Sequence, residues 1–123
     1  MRVCGIRGAV ESSGNTREDI HKATRSLLQE MLERNAVAHE DIASVFLTAT
    51  PDLNADFPAY AARAMGLTTV PLLCAQEMNV PGAMKSVIRA LMHVNTEKAQ
   101  RDIVHCYLGE TSKLRPDAGA HTP

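Results

Sequence analysis

Three apolar segments each carry one charge. Arg7 stands in "CGIRGAV", Arg89 in "SVIRALMHV", and Glu77 in "VPLLCAQEM". Taken singly, each has a plain reading as a strand-end residue whose stem packs while its head reaches water. Together they are harder to dismiss. A buried charge is paired or it waits for a ligand, because leaving it alone in an apolar setting is very unfavourable. Two Arg and one Glu do not neutralise one another, and Arg63 and Arg115 add cations that could converge on the same place. A guanidinium is a planar fork that matches a carboxylate through two hydrogen bonds. The pattern points to a pocket for a small anion bearing more than one carboxylate. Glu77 would accept from a hydroxyl of that ligand, and Tyr107 would donate to a carboxylate. A structural ion-pair network is the alternative.

Other chemistries fit less well. His93 and His105, with Cys74 or Cys106, lack any zinc-ligand spacing, so no metal is expected. A nucleophilic Cys74 needs a base nearby. Strand alternation sends 74 and 77 to opposite faces unless the strand ends or bulges. Gly5 and Gly8 are not followed by the Lys-Ser/Thr of a phosphate loop. Met31, Met65, Met78, Met84 and Met92 read as core or near-core filling, and no cofactor motif is present.

The chain has 123 residues, the size of one ordinary domain, and is 45% hydrophobic. It has no Trp, and its aromatic side chains are Phe46, Phe57, Tyr60 and Tyr107, so the core must be aliphatic. Thirteen Lys and Arg against fourteen Asp and Glu give no bulk charge that would favour nucleic acid or a membrane surface. No run approaches the about 20 apolar residues of a membrane span. "MRVCGIRG" lacks a signal-peptide core, so a cytoplasmic location is expected. Three widely spaced cysteines read as free thiols rather than a disulfide framework.

The elements that must position the charged residues follow from periodicity. Met1–Val10 reads as a strand and "ESSGN" as a loop. Thr16 caps a helix of apolar spacing, Ile20, Ala23, Leu27, Leu28, Met31 and Leu32, which Asn35 can end. Ile42–Thr50 is a second strand. Pro58 suits the first turn of a short helix, Ala59–Met65, closed by Gly66. "TTVPLLCAQEM", "VIRALMHVN" and "IVHCYLGE" read as three more strands, "NVPGAMKS" as a loop or single helical turn, and "TEKAQRD" as a polar turn. The order β-α-β-α-β-β-β predicts an α+β (mixed α/β) fold: a five-stranded mixed sheet with helices on one face. The strands are apolar on both sides, so the uncovered face predicts self-association.

In order and spacing, "GIRGA", "TATPDLNADFPAYAAR", "CAQEMNVPG", "IRALMHVNT", "HCYL" and "LRPD" resemble the monofunctional chorismate mutases of the Bacillus type, over about Arg2 to Asp117. The resemblance implies an isomerase that converts chorismate to prephenate by a Claisen rearrangement, in phenylalanine and tyrosine biosynthesis, without a cofactor. It also implies a homotrimer whose sheets form a central pseudo-barrel, with active sites between subunits. It makes Arg7 the clamp on one substrate carboxylate, with Tyr107 beside it, and Arg89 the cation at the ether oxygen. Cys74 and Glu77 become the pair that holds the ring hydroxyl. Phe57 and Arg63 are implied to reach across the interface, with Tyr60 and Leu73 at pocket-lining positions. Leu114 and Arg115 belong to a tail that closes over the site. One domain over residues 1–117 and a disordered tail at 118–123 are expected. Competing functions are a trimeric enamine/imine deaminase of similar fold, a carboxylate-binding regulatory module, and a purely structural trimer.

Overall fold

The computed structural model describes residues 1–114. Arg115 and the tail expected at 118–123 therefore lie outside the described residues. The strands are β1 (Arg2–Glu11), β2 (Ile42–Ala49), β3 (Leu72–Gln76), β4 (Val87–Thr96) and β5 (Cys106–Tyr107). The helices are α1 (Arg17–Arg34) and α2 (Pro58–Ala64). The strands form one mixed sheet in the order β3-β2-β4-β1-β5. Central β4 runs antiparallel to both β1 and β2, while β3 is parallel to β2 and β5 is parallel to β1. Among the described residues no helix is long and apolar enough to cross a membrane.

Local chemistry explains the helix ends. Thr16 has extended backbone, and its Oγ1 accepts from the Asp19 N–H at 3.1 Å, with Glu18 and Asp19 at the positive end of α1. At the far end Asn35 is buried and ties three segments together. Its Nδ2 donates to the carbonyls of Met31 and Val104, both at 2.9 Å. Its Oδ1 accepts from the Val104 N–H at 2.8 Å, and its carbonyl accepts from Lys98 Nζ at 2.9 Å. Pro58 opens α2 at a position where no backbone donor is needed.

The core lies between the helices and one face of the sheet. Ile20, Leu27, Leu28 and Met31 of α1 are fully buried, as are Ile6 of β1, Leu47 of β2, and Ile88, Met92 and Val94 of β4. Each such aliphatic side chain contributes about 1.5–3 kcal/mol of transfer free energy. Gly8 sets the closest approach, since a Cβ there would meet Met31 Sδ at 2.7 Å and Leu27 Cδ1 at 2.8 Å. From Ile88 onward the side chains of β4 alternate: Ile88, Ala90, Met92 and Val94 turn to the core, and Arg89, Leu91 and His93 turn away. The helices leave that second face open, with Phe46, Leu73 and Leu91 exposed on it.

The last strand is much shorter than "IVHCYLGE" suggests. Only Cys106 and Tyr107 pair with β1, opposite Gly8 and Ala9. Nearer the start of β1, side chains take over the ladder. The Arg7 N–H donates to His105 Nδ1 at 2.9 Å, and the Gln100 amide bonds both the N–H and the C=O of Gly5, at 2.9 and 2.7 Å. An imidazole and an amide thus do what a strand backbone was expected to do. "NVPGAMKS" forms turns without a helix, and Gly109–Leu114 is a 3₁₀ segment.

Asn35→Ala should destabilise the fold by about 2–3 kcal/mol, because it orphans the N–H and C=O of Val104 as well as deleting the helix cap. Urea denaturation measures this; a loss below about 1 kcal/mol would mean that water or a neighbour takes over those groups.

Candidate active site

The open face of the sheet is organised in rows across the strands. One row reads Tyr107 on β5, Ala9 on β1, Arg89 on β4, Thr48 on β2 and Ala75 on β3. The next reads Arg7, Leu91, Phe46 and Leu73. Arg7 and Arg89 are therefore diagonal neighbours on one face, a spacing of about 7–8 Å at the backbone. Small residues at Ala9 and Ala75 leave the first row uncrowded. Glu77 follows the end of β3, where its N–H still donates to the Ala49 carbonyl at 2.9 Å. Its carboxylate reaches back over β2 to Arg89, with Nε at 2.8 Å from one oxygen and 3.2 Å from the other.

These side chains line a cleft of about 360 Å³ that holds Arg7, Arg89, Glu77 and Tyr107 together, with Phe46 and Leu91 as apolar wall. The Arg89 side chain is 39% exposed and that of Glu77 19%, so the pair is partly withdrawn from water. Among the described residues no carboxylate pairs with Arg7. Two cations against one anion leave the cleft positive, which suits an anionic ligand.

A second cleft of about 320 Å³ holds Phe57, Tyr60, Arg63, Leu73 and Cys74 beside the β3 edge. The Phe57 and Tyr60 rings meet edge-on at 5.4 Å, and the Arg63 guanidinium lies 5.4 Å from the Tyr60 ring centre. Burial pushes the Cys74 thiol above its usual pKa, an effect only partly offset by the Ala59 backbone and the Arg63 charge. Cys74 at neutral pH is thus a neutral thiol. Cys106 is fully buried, and desolvation raises its pKa to about 11.

The expected site residues therefore fall into two groups within one chain. Arg7, Glu77, Arg89 and Tyr107 come together, and Phe57, Tyr60, Arg63, Leu73 and Cys74 come together elsewhere. Cys74 and Glu77 do not share a cleft, as strict alternation along β3 requires. Leu114 is half-buried at the end of the 3₁₀ segment, which Thr111 fastens to β1 through its hydroxyl, donating to the Ala9 carbonyl at 3.1 Å. His93 and His105 serve separate ends: His93 Nδ1 lies 3.2 Å from Ser44 Oγ and His105 supports Arg7. Among the described residues no three His, Cys, Asp or Glu side chains are grouped as a metal site.

The framing roles of three residues went unread in the sequence. Thr111, Gln100 and His105 anchor the cleft through side-chain bonds to backbone, which no periodicity signals. Thr48 had a signal: it alternates with Phe46 and so must share the open face with it.

A mixed sheet covered on one side, with two arginines and one glutamate gathered on the other, defines a small α+β module whose open face suits an anionic ligand. Comparison with known proteins places it further. The model of the family described as "Chorismate mutase type I" matches residues 3–118. Chorismate mutase AroH of Thermus thermophilus is 49% identical over 116 residues, covering 94% of this chain and 95% of that protein. Chorismate mutase AroH of Bacillus subtilis is 44% identical over 118 residues, covering 95% and 93%. Among solved structures, chorismate mutase from Clostridium thermocellum superposes with a TM-score of 0.87 at 47% identity, over 89% of this chain and 97% of that one. The chain belongs to the chorismate mutase type I family.

Burial lowers the pKa of His105 from 6.5, and its Nδ1 must be unprotonated to accept from Arg7. Below pH 6.5 the unfolded chain therefore binds the proton more readily than the folded one. The stabilisation is complete above pH 6.5 and is lost as pH falls through the lower, folded value. Thermal melts of the parent and of His105→Gln across that range should diverge, with the parent losing more stability on acidification. Parallel curves would remove His105 from the account.

Proposed function

We propose that the chain catalyses the Claisen rearrangement of chorismate to prephenate, an isomerisation that feeds phenylalanine and tyrosine synthesis. The observation that carries this reading is the Arg7–Arg89–Glu77 constellation on the open sheet face, in a chain of this family. In the reaction a carbon–oxygen bond breaks while a carbon–carbon bond forms within one molecule. No proton has to move and no covalent intermediate is needed. The protein supplies conformation and charge.

Arg7, with Tyr107 beside it, clamps a carboxylate and holds the substrate in the compact conformer in which its reacting carbons approach, lowering the entropic part of the barrier. Arg89 faces the ether oxygen, where negative charge grows in the transition state. A fixed cation there binds the transition state more tightly than the ground state, which is the condition for raising the rate. Glu77 accepts from the ring hydroxyl and holds Arg89 in line.

The two clefts support a homotrimer with sites between subunits. Neither cleft alone carries the full set of expected residues, and the apolar open face of Leu91, Phe46 and Leu73 gives a second copy something to cover. In that arrangement Phe57, Tyr60, Arg63, Leu73 and Cys74 of one copy complete the cleft of the next, so that Cys74 and Glu77 meet one hydroxyl across the interface. Leu114, and Arg115 beyond the described residues, are read as capping the site.

A spectrophotometric assay tests the reading directly: chorismate absorbance should fall as prephenate forms, and binding without turnover would favour a regulatory module instead. Replacing Arg89 by citrulline keeps the Nε–H that meets Glu77 and removes the charge. Turnover should drop roughly 10²–10³-fold, about 3–4 kcal/mol, with substrate binding largely retained. Arg7→Ala should instead act mainly on KM, because its carboxylate contact exists in ground and transition states alike. Light scattering should give three times the chain mass; a monomer with full activity would end the interfacial proposal.

A further inference from the structure

One group on the floor of the first cleft is used neither by the ion pair nor by the carboxylate clamp. Thr48 stands opposite Arg89 on one side and opposite Ala75 on the other, two residues ahead of Glu77. It lines the cleft with both charges. Its Oγ1 is buried and has no hydrogen-bond partner, the one such buried side-chain atom among the described residues. The other buried hydroxyls are all engaged. Thr24 donates to the Ile20 carbonyl at 2.7 Å, Ser12 to that of Gly14 at 2.7 Å, and Thr111 to that of Ala9 at 3.1 Å. Thr50 Oγ1 accepts from the Val87 N–H at 3.1 Å. A buried hydroxyl without a partner lowers stability, and valine would fill the same volume without that cost. Among the described residues the exception falls at the cleft.

We infer that Thr48 is a positioning residue for Glu77, donating its hydroxyl to the carboxylate when substrate is bound. The inference rests on the proposed function and deepens it. Both oxygens of Glu77 face Arg89 Nε, at 2.8 and 3.2 Å. Accepting from a ring hydroxyl requires one oxygen to turn off that edge toward the ligand. A carboxylate has about four lone-pair sites, so the turned group can take a further donor. Thr48 is the hydroxyl on the adjoining strand, on the same face, with no competing bond to break. Its donation fixes the turned carboxylate, and through it the aim of Arg89. The hydroxyl thus has no partner in the conformation described and gains one in the complex.

The test compares the parent with Thr48→Val, which keeps the shape, and Thr48→Ser, which keeps the hydroxyl. Thr48→Val should melt no lower than the parent, since an unpaired buried hydroxyl is removed. Its KM for chorismate should rise roughly tenfold, the worth of one hydrogen bond to a charged group, with a smaller fall in kcat. Thr48→Ser should recover most of that loss. In a Glu77→Gln background the effect of Thr48→Val should shrink below about twofold, because a residue acting through Glu77 is coupled to it. Thr48→Ala, the second variant without a hydroxyl, must give the same kinetic pattern should the valine chain fail to fold. Unchanged KM and kcat in an active Thr48→Val overturns the inference, and so does an equal loss in both backgrounds. A parent without chorismate turnover overturns the functional reading and this one with it, whereas an active parent beside an unaffected variant overturns only the role of Thr48.

Discussion

Arg89 and Glu77 meet at 2.8 Å on a sheet face that no helix covers, and the cleft takes its form from that contact. Both charges are partly withdrawn from water, and that cost is offset only while the geometry of the pair holds. Without Glu77, the long Arg89 side chain would extend toward solvent, as arginines at sheet surfaces do. With it, the guanidinium is held in the cleft. The contact is made through Nε, at the stem end of the fork, so it fixes the plane of the guanidinium. Alternation from Leu73 and Ala75 carries Glu77 to the same open face, and its N–H still bonds the Ala49 carbonyl after the strand stops at Gln76.

That geometry depends on register. A slip of one residue in β4 would carry Arg89 into the aliphatic core and Ile88 or Ala90 onto the open face. The core forbids the slip. Ile88, Met92 and Val94 must meet α1 and the inner faces of β1 and β2, and α1 is seated against Gly8 so closely that no side chain fits between. Arg7 is set by the same contact from the other side, one residue before that glycine. The helices therefore aim the arginines without touching them. Burial on one face of the sheet determines the chemistry of the other.

Much of this was legible in the residues, and what was not has a physical reason. Thr16, Asn35, Pro58 and Gly66 mark helix ends by local backbone chemistry that no tertiary context overrides, and both helices lie where they predict. The faces of β4 were readable because β-alternation is strict once one side is buried. The end of the chain was harder. "IVHCYLGE" has the composition of a strand, but β1 is bonded at Gly5 and Arg7 by the side chains of Gln100 and His105, which fill the ladder positions a strand would need. Such side-chain mimicry depends on where a residue sits in space. The charged residues could be named from their burial cost and self-association from the uncovered face, whereas the residues' roles and the number of subunits came from the family likeness. Cys74 shows the limit: alternation placed it away from Glu77, and within one chain it is away.

The thiol chemistry of the clefts agrees with a reaction that needs no nucleophile. Burial raises the pKa of Cys74, with Arg63 too weak an influence to reverse the shift, so the group is a thiol and a hydrogen-bond donor at neutral pH rather than an attacking thiolate. Cys106 is further from ionising, at about 11, and is buried beneath the sheet. His105, the imidazole closest to the clamp, is bound by its Nδ1 to the backbone of Arg7 and is kept neutral by burial, so that ring nitrogen is occupied in holding structure. What remains in the cleft is two guanidinium groups, one carboxylate and a phenol. Charges held in place lower a barrier whose height comes from shape and from electron density moving onto one oxygen. The side chains gathered here suit a rearrangement within one molecule, for which no nucleophile is needed.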